Sequence, residues 1–377
     1  MKKTITAIMA LVLWLPLQAR DWTKEQVEEV ICRVNTYWQK NNKPETRSFW
    51  DPAAYHTGNM EVYKLLHNES MLNYTRRWAD YNNWSGATQA NPAKWRYKTY
   101  GEGKDFVLFG DWQVCFQTYI DLYNLACAQG DSAANYFMVQ RAKEVMSYEA
   151  YSAATDYWWW SDALYMVMPV MTKMYRLTGD RQYLDKLYAN LQYSDSVMLD
   201  KETGLYFRDA RYVYPKHKTG NGLKDFWARG DGWVLAGLAK VLQDLPKDYV
   251  HYQFFVDKYK RLADAVRRTQ QKEGYWTRSI LDPAQAPGPE TSGTAFFTYG
   301  ILWGVNNGFL DRKTYRKTID RAWQYLTETA LQPDGKVGYV QPIGDRAIPG
   351  QTLDANRQAN FGVGAFLLAA CEYYRYL

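Results

Sequence analysis

The chain has 377 residues, a formal net charge of +6 at pH 7 and 47% hydrophobic residues. Its Lys and Arg are interspersed with Asp and Glu, which excludes nucleic acid as a partner, because phosphate binding needs a concentrated basic face. Aromatic residues reach 16%, with 16 Trp and 32 Tyr; such rings either fill a large core or offer platforms for sugar rings, and composition alone does not choose.

Lys2 and Lys3 precede an apolar stretch from Ile5 to Leu17, and Gln18 and Ala19 follow before the polar Arg20 and Asp21. That order is the pattern of a secretory signal peptide. Its apolar part, about a dozen residues, is too short to span a bilayer. We therefore expect residues 1–19 to be a signal cleaved near Ala19. The mature protein, 20–377, is then periplasmic or secreted and carries no membrane anchor; losing Lys2 and Lys3 takes the formal charge from +6 to +4.

Thr23 and Gln26 form a capping box, and Val27, Val30, Ile31, Val34, Tyr37 and Trp38 follow at helical spacing. Asp111 and Trp112 open the next distinctive segment, a buried helix running through Gln117, Tyr119, Ile120, Asp121 and Leu122. Trp159 to Met174 carries Ala163, Leu164, Met166, Val167, Met168, Val170 and Met171 with scarcely any polar face, as expected of a helix buried all round. Tyr183, Leu184, Leu187, Tyr188 and Leu191 mark an amphipathic outer helix, and so do Tyr315, Ile319, Trp323 and Leu326. Further apolar or small-residue segments start near Gly232, Gly293 and Phe361. Buried and amphipathic helices thus alternate at intervals of roughly fifty to seventy residues, the mark of stacked helical hairpins. No long period-two run appears, and Pro283 to Pro289 and Pro342 to Gly350 are short loops. One all-α domain is expected, either a closed toroid or an open helical solenoid.

Cys32, Cys115, Cys127 and Cys371 show no CxxC spacing and read as free thiols. Cys115 and Cys127, if on one helix, stand roughly 18 Å apart and cannot pair. His56, His67, His217 and His251 lack HxxxH or HxH spacing, so no metal or other cofactor is expected. Neither a GxSxG elbow nor a Gly-rich phosphate loop is present.

The densest chemical cluster is Trp158, Trp159, Trp160, Ser161 and Asp162, at the entry to the most apolar helix. Asp162 reads in two ways. It is a helix cap, or it is an acid that the aromatic residues desolvate, raising its pKa into the range of a proton donor. Asp111 stands 51 residues earlier at the start of another buried hairpin, so two carboxylates can meet. Phe226 to Trp233 reads FWARGDGW, which places Arg229 between Trp227 and Trp233. An arginine so flanked suits a sugar carboxylate or an ordinary ion pair between helices.

Taken together, WWWSDALYM, FWARGDGW, PETSGTAFFTYGI and GDWQVCFQTYIDLY resemble the unsaturated glucuronyl and rhamnogalacturonyl hydrolases, glycoside hydrolase family 105 with its relative family 88. The resemblance covers roughly residues 50–370. It implies a six-hairpin (α/α)6 barrel acting on oligosaccharides that end in a 4,5-unsaturated uronic acid. The implied chemistry is hydration: an aspartate protonates C4, water adds at C5, and the hemiketal opens to release the aglycone. By the resemblance Asp162 is the proton donor and Asp111 the second essential acid, while Tyr55, Trp160, Met166, Trp227, Arg229 and Trp233 line the sugar pocket. Relatives carry a histidine in the segment that here reads GLYFRDA, where only Arg208 or Asp209 is available, with His217 nearby but offset. Arg208 and His217 are therefore expected on the side of the adjoining sugar. Two other readings stand beside this one: an inverting glycosidase, which needs acids about 6.5 to 9.5 Å apart, and a glycan-binding protein without catalysis.

The exported protein is expected to begin near Arg20 and to work without added metal. Intact-mass measurement showing Lys2 retained, or activity lost to a chelator and restored by zinc or calcium, would contradict this.

Overall fold

The computed structural model describes residues 21–130 and 133–377; the expected signal segment lies outside the described residues. Chain order alternates outer and inner helices. The first hairpin is α1 (Lys24–Asn41), outer, and α2 (Trp50–Leu66), inner; the second is α3 (Glu69–Tyr81) and α4 (Cys115–Gln129). The third is α5 (Phe137–Tyr151) and a broken inner helix, α6 (Ala163–Met166) with α7 (Met168–Thr178). Then come α8 (Gln182–Met198) with α9 (Ala228–Asp244), α10 (Tyr252–Arg267) with α11 (Thr291–Asn306), and α12 (Arg312–Tyr325) with α13 (Asn360–Tyr376).

The outer helices follow their sequence pattern. Gln26 N–H donates to Thr23 Oγ1 at 3.4 Å and Thr23 N–H donates to Gln26 Oε1 at 3.1 Å, while Val27, Val30, Ile31, Val34 and Trp38 form the buried stripe of α1. Inner helices are buried on every side; in α11 the whole run from Thr291 to Gly304 is out of solvent. Each inner helix touches the next, α2 to α4 to α7 to α9 to α11 to α13, and α13 returns to α2. The toroid is therefore closed, and the open solenoid is excluded. Gly58 and Gly364 make the closure: a Cβ on either would run into backbone of the other helix, so only glycine lets α2 and α13 approach this closely.

Two expectations need correction. The apolar run from Trp159 to Met174 is not one helix, because Pro169 has no N–H to give to Tyr165 and the helix breaks at Val167. The freed Tyr165 carbonyl accepts instead from Gln117 Nε2 at 2.8 Å. Nor does Asp111 open α4; it sits in a 3-10 turn, Gly110–Trp112, ahead of it. Cys115 and Cys127 share α4, and all four cysteines are free.

Because hairpins alternate outer and inner, the inner helices run parallel and begin at one rim. The far end of the ring is held by charges: Lys64 and Lys173 both reach Asp121, at 3.0 and 2.5 Å, and Arg375 reaches Glu61 at 3.5 Å, joining α2, α4, α7 and α13. No described helix is long and apolar enough to cross a membrane.

Candidate active site

Short loops at the rim pair through isolated antiparallel bridges, Trp160 with Asp209 and Trp227 with Ser279. The first of these builds the site. Ser161 N–H donates to the Arg208 carbonyl at 2.8 Å, which fixes Asp162 beside Arg208. Trp160 stacks on Phe109 with centroids 4.5 Å apart, tying the same segment to the turn that carries Asp111.

Asp162 enters α6 with helical backbone angles and makes no capping hydrogen bond. A mere cap would do so, so that alternative loses its support. Its carboxylate accepts from Ser161 Oγ at 3.2 Å and faces Arg208 Nε at 3.5 Å. Burial pushes its pKa up, against the pull of Arg208 and Arg229. Asp111 is 5% exposed, and no hydrogen bond reaches its carboxyl among the described residues. Burial and then the charge of Asp162 push it well above the carboxylate range. Asp51, in the first turn of α2, is the third acid of the group. It also raises Asp111, and its own pKa is raised by burial despite Asn360 Nδ2 at 3.2 Å and Arg47 at 3.7 Å.

Arg208 is the cation among these acids. Nη1 donates to Asp209 at 2.7 Å, but Asp209 is also gripped by Arg211 at 2.8 and 2.9 Å. Nε–H is buried with no hydrogen-bond partner, and Nη2 makes no hydrogen bond among the described residues. One edge of the guanidinium is therefore uncommitted. Burial works against its charge, but Asp162, Asp209 and Asp111 together keep it protonated.

Arg229 differs from expectation. Its Nη1 donates to the Gln341 carbonyl at 2.8 Å and to Ser292 Oγ at 3.3 Å, and its Nη2 donates to the Pro342 carbonyl at 2.9 Å. The group lies between the Trp227 and Phe361 rings at 4.5 and 4.7 Å, and Trp227 Nε1–H donates to Gln341 Oε1 at 2.8 Å. Burial lowers the guanidinium pKa to about 10. Arg229 is thus tied through both terminal nitrogens to α11 and the 341–342 loop, where a receptor for a sugar carboxylate was expected; its Nε–H has no hydrogen-bond partner among the described residues, and its charge acts on Asp162.

Other positions are corrected likewise. Met166 and Trp233 are fully buried, Met166 against Gly110 and Trp233 on Tyr165 and Phe296, and Trp160 and Trp227 are only 1% and 2% exposed, so none of the four offers open surface to a sugar. The Tyr55 hydroxyl donates to Asn35 of α1 at 2.5 Å, and its ring lines a side cavity of about 130 Å³ with Trp38, His56, Tyr74 and Asn360. His217 pairs with Asp225 at 2.8 Å and is reached from Arg208 through Asp209, Arg211 and Tyr212. Asp51 and Asn360 went unread in the sequence. Asp51 nonetheless carries the mark of Asp162, a carboxylate opening a helix that has almost no polar face. Among the described residues no three His, Cys, Asp or Glu side chains gather as metal ligands.

Closely set, desolvated carboxylates on the rim of an α/α toroid are the equipment of a glycoside hydrolase, where acids of raised pKa deliver protons to sugar. The comparisons place this chain more narrowly. Residues 22–377 match the sequence profile of Glycosyl Hydrolase Family 88, and the chain belongs to that family. A structure of a glycosyl hydrolase family 88 protein from Bacteroides vulgatus is 56% identical, with a TM-score of 0.90 over 94% of this chain and 100% of that one. A protein bearing the name polysaccharide lyase is 59% identical, with a TM-score of 0.89 over 94% and 98%. An unsaturated 3S-rhamnoglycuronyl hydrolase of Formosa agariphila is 40% identical over 225 residues, 59% of this chain and 59% of that relative's length.

Arg229→Ala is expected to destabilise the fold itself, because the buried Gln341 carbonyl and the part-buried Pro342 carbonyl lose their donor, the former alone costing about 1 to 3 kcal/mol unpaired. The urea midpoint should fall with the m-value unchanged; a midpoint equal to the parent's would show that the guanidinium is no tie.

Proposed function

We propose that the protein removes a 4,5-unsaturated uronic acid from the non-reducing end of oligosaccharides left by polysaccharide lyases, by hydrating the C4=C5 double bond. The observation that carries this reading is the contact between Asp162 and the uncommitted edge of Arg208. A uronate carboxylate fits that edge bidentately. The inner helices begin at the same rim, and their N-termini, which carry partial positive charge, favour an anion there. Carboxylate binding at Arg208 would also satisfy the cation that otherwise lowers the pKa of Asp162. Asp162 therefore holds its proton more firmly once the substrate is in place.

In the reaction the Asp162 proton goes to C4, and the oxygen of one water bonds to C5. The remaining water proton passes to a carboxylate of the site, restoring the acid. The C5 hemiketal opens to a ketone, and the hemiacetal left at C1 breaks to release the aglycone, so one water is consumed overall. Asp111, whose pKa burial and the nearby Asp162 raise, is the second acid of the site and, in its charged form, a base for the water's proton. A uronate joined to rhamnose, as in the name of the Formosa relative, is the first substrate to test, beside pectin-type, glycosaminoglycan and arabinogalactan fragments. The lyase name borne by one relative suggests a second reading. Elimination needs a base to take the C5 proton, however, and acids of raised pKa suit proton delivery better. The two reactions change the ultraviolet absorbance of the unsaturated uronate in opposite directions.

Asp162→Asn should lower turnover by about two to four orders of magnitude and leave thermal stability near the parent's, since no capping bond is lost. A folded variant that still consumes the absorbance within about tenfold of the parent rate would remove Asp162 as donor.

Arg208→Gln should raise KM by about tenfold or more, the loss of one charge-assisted pair. It should also move the alkaline limb of the pH profile upward, because a cation beside an acid favours its charged form and its removal lets the proton stay to higher pH. An unchanged KM and an unmoved limb would place the carboxylate elsewhere.

A further inference from the structure

A buried acid outside the site holds together the two segments that carry Asp111 and Asp162. Glu149, near the end of α5, is completely out of solvent. Its Oε2 accepts from Gln113 Nε2 at 2.9 Å; its Oε1 accepts from Trp158 Nε1 at 3.0 Å and from Asn190 Nδ2 at 3.1 Å. Gln113 is two residues after Asp111, and Trp158 is four before Asp162. The Trp158 carbonyl accepts in turn from Ser194 Oγ at 2.6 Å, so the segment is gripped from both sides. Burying a carboxylate is expensive unless several donors compensate it, and here burial raises the pKa to about 7 in spite of three donors and the nearby Lys186. A leucine in an all-helical core would avoid that cost, so packing alone gives no reason for the acid.

We propose that Glu149 is a positioning residue: its carboxylate, joined to Gln113 and to Trp158, sets the spacing of Asp111 and Asp162. The inference rests on the proposed reading, in which those two acids act on one sugar. All three partners present N–H, so only a group that accepts at both oxygens completes the bracket. Glutamine, with one oxygen and one NH₂, places a donor opposite Gln113 Nε2, and turning the Gln113 amide to re-pair it takes Nε2 off the Val107 carbonyl. The third arm, the Asn190 side chain, leads to α8, whose Ser194 reaches the Trp158 carbonyl on its own; removing the Asn190 amide leaves that contact and both acid-bearing arms in place, which separates positioning from packing.

The test is steady-state kinetics on an unsaturated uronide, with thermal unfolding of each variant. Glu149→Gln and Gln113→Leu should each lower kcat by about a hundredfold, as expected for acids misplaced by about 1 Å, with KM within about threefold of the parent. Asn190→Leu, which breaks only the α8 arm, should keep kcat within about threefold. Parental kcat in either Glu149→Gln or Gln113→Leu overturns the proposal, and so does an equal loss in all three variants, which would mark general packing. If Glu149→Gln fails to fold, the contrast between Gln113→Leu and Asn190→Leu decides alone. A parent that leaves every unsaturated uronide untouched takes both readings down, whereas an active parent with unaffected variants removes only the positioning role.

Discussion

Every feature of the rim depends on the closure of α13 against α2. The first and last inner helices meet at Gly58 and Gly364, where backbone lies on backbone with no room for a side chain. That contact converts a row of hairpins into a ring, and a ring has one interior that all inner helices share. It brings Asn360, at the start of the last inner helix, to Asp51, in the first turn of the first, at 3.2 Å across 309 residues of sequence. The charges at the opposite end, around Asp121, fasten three neighbouring inner helices in the same register. Between these two ends, short bridges such as Trp160 to Asp209 tie the loops of the rim to one another.

The rim is also the place where the fold accepts an electrostatic cost. Asp51 and Asp162 both lie close enough to Asp111 to raise its pKa, and burial raises all three. A surface would dissipate such repulsion in water; a desolvated ring does not. Arg208 relieves part of it without pairing fully with any one acid, because Asp209 takes one end of the guanidinium and Arg211 shares Asp209. The result is a cation with donors to spare beside acids of raised pKa, the arrangement on which the proposed hydration rests. Arg229, by contrast, gives both terminal nitrogens to carbonyls, leaving only its Nε–H unpartnered among the described residues, and ties α9 to the 341–342 loop.

Local sequence pattern separated the helices well. A capping box located the start of α1, amphipathic stripes marked the outer helices, and segments without a polar face marked the inner ones. It failed where backbone chemistry interrupts a pattern, as at Pro169. It also failed wherever a side chain's direction depended on a neighbouring helix. FWARGDGW reads the same whether Arg229 points at a sugar or at the carbonyls of Gln341 and Pro342, which lie more than a hundred residues away. Trp233 and Met166 share motifs with site residues yet face the packed interior, since a motif names a segment and a helix turn decides which side of it is wet.

The sequence by itself determined the all-α class, the alternation of outer and inner helices and the segments bearing Asp111 and Asp162, because periodicity and a carboxylate beside apolar residues are local properties. The resemblance carried by four motifs pointed to the family. Tertiary structure alone decided that the ring closes, that Asp51 joins the acids, that both terminal nitrogens of Arg229 are hydrogen-bonded while Nη2 and Nε of Arg208 are not, and that Glu149 bridges Gln113 to Trp158. Each of these turns on the distance between atoms far apart in the chain, and such distances are set by the packing of whole helices, which no local pattern encodes.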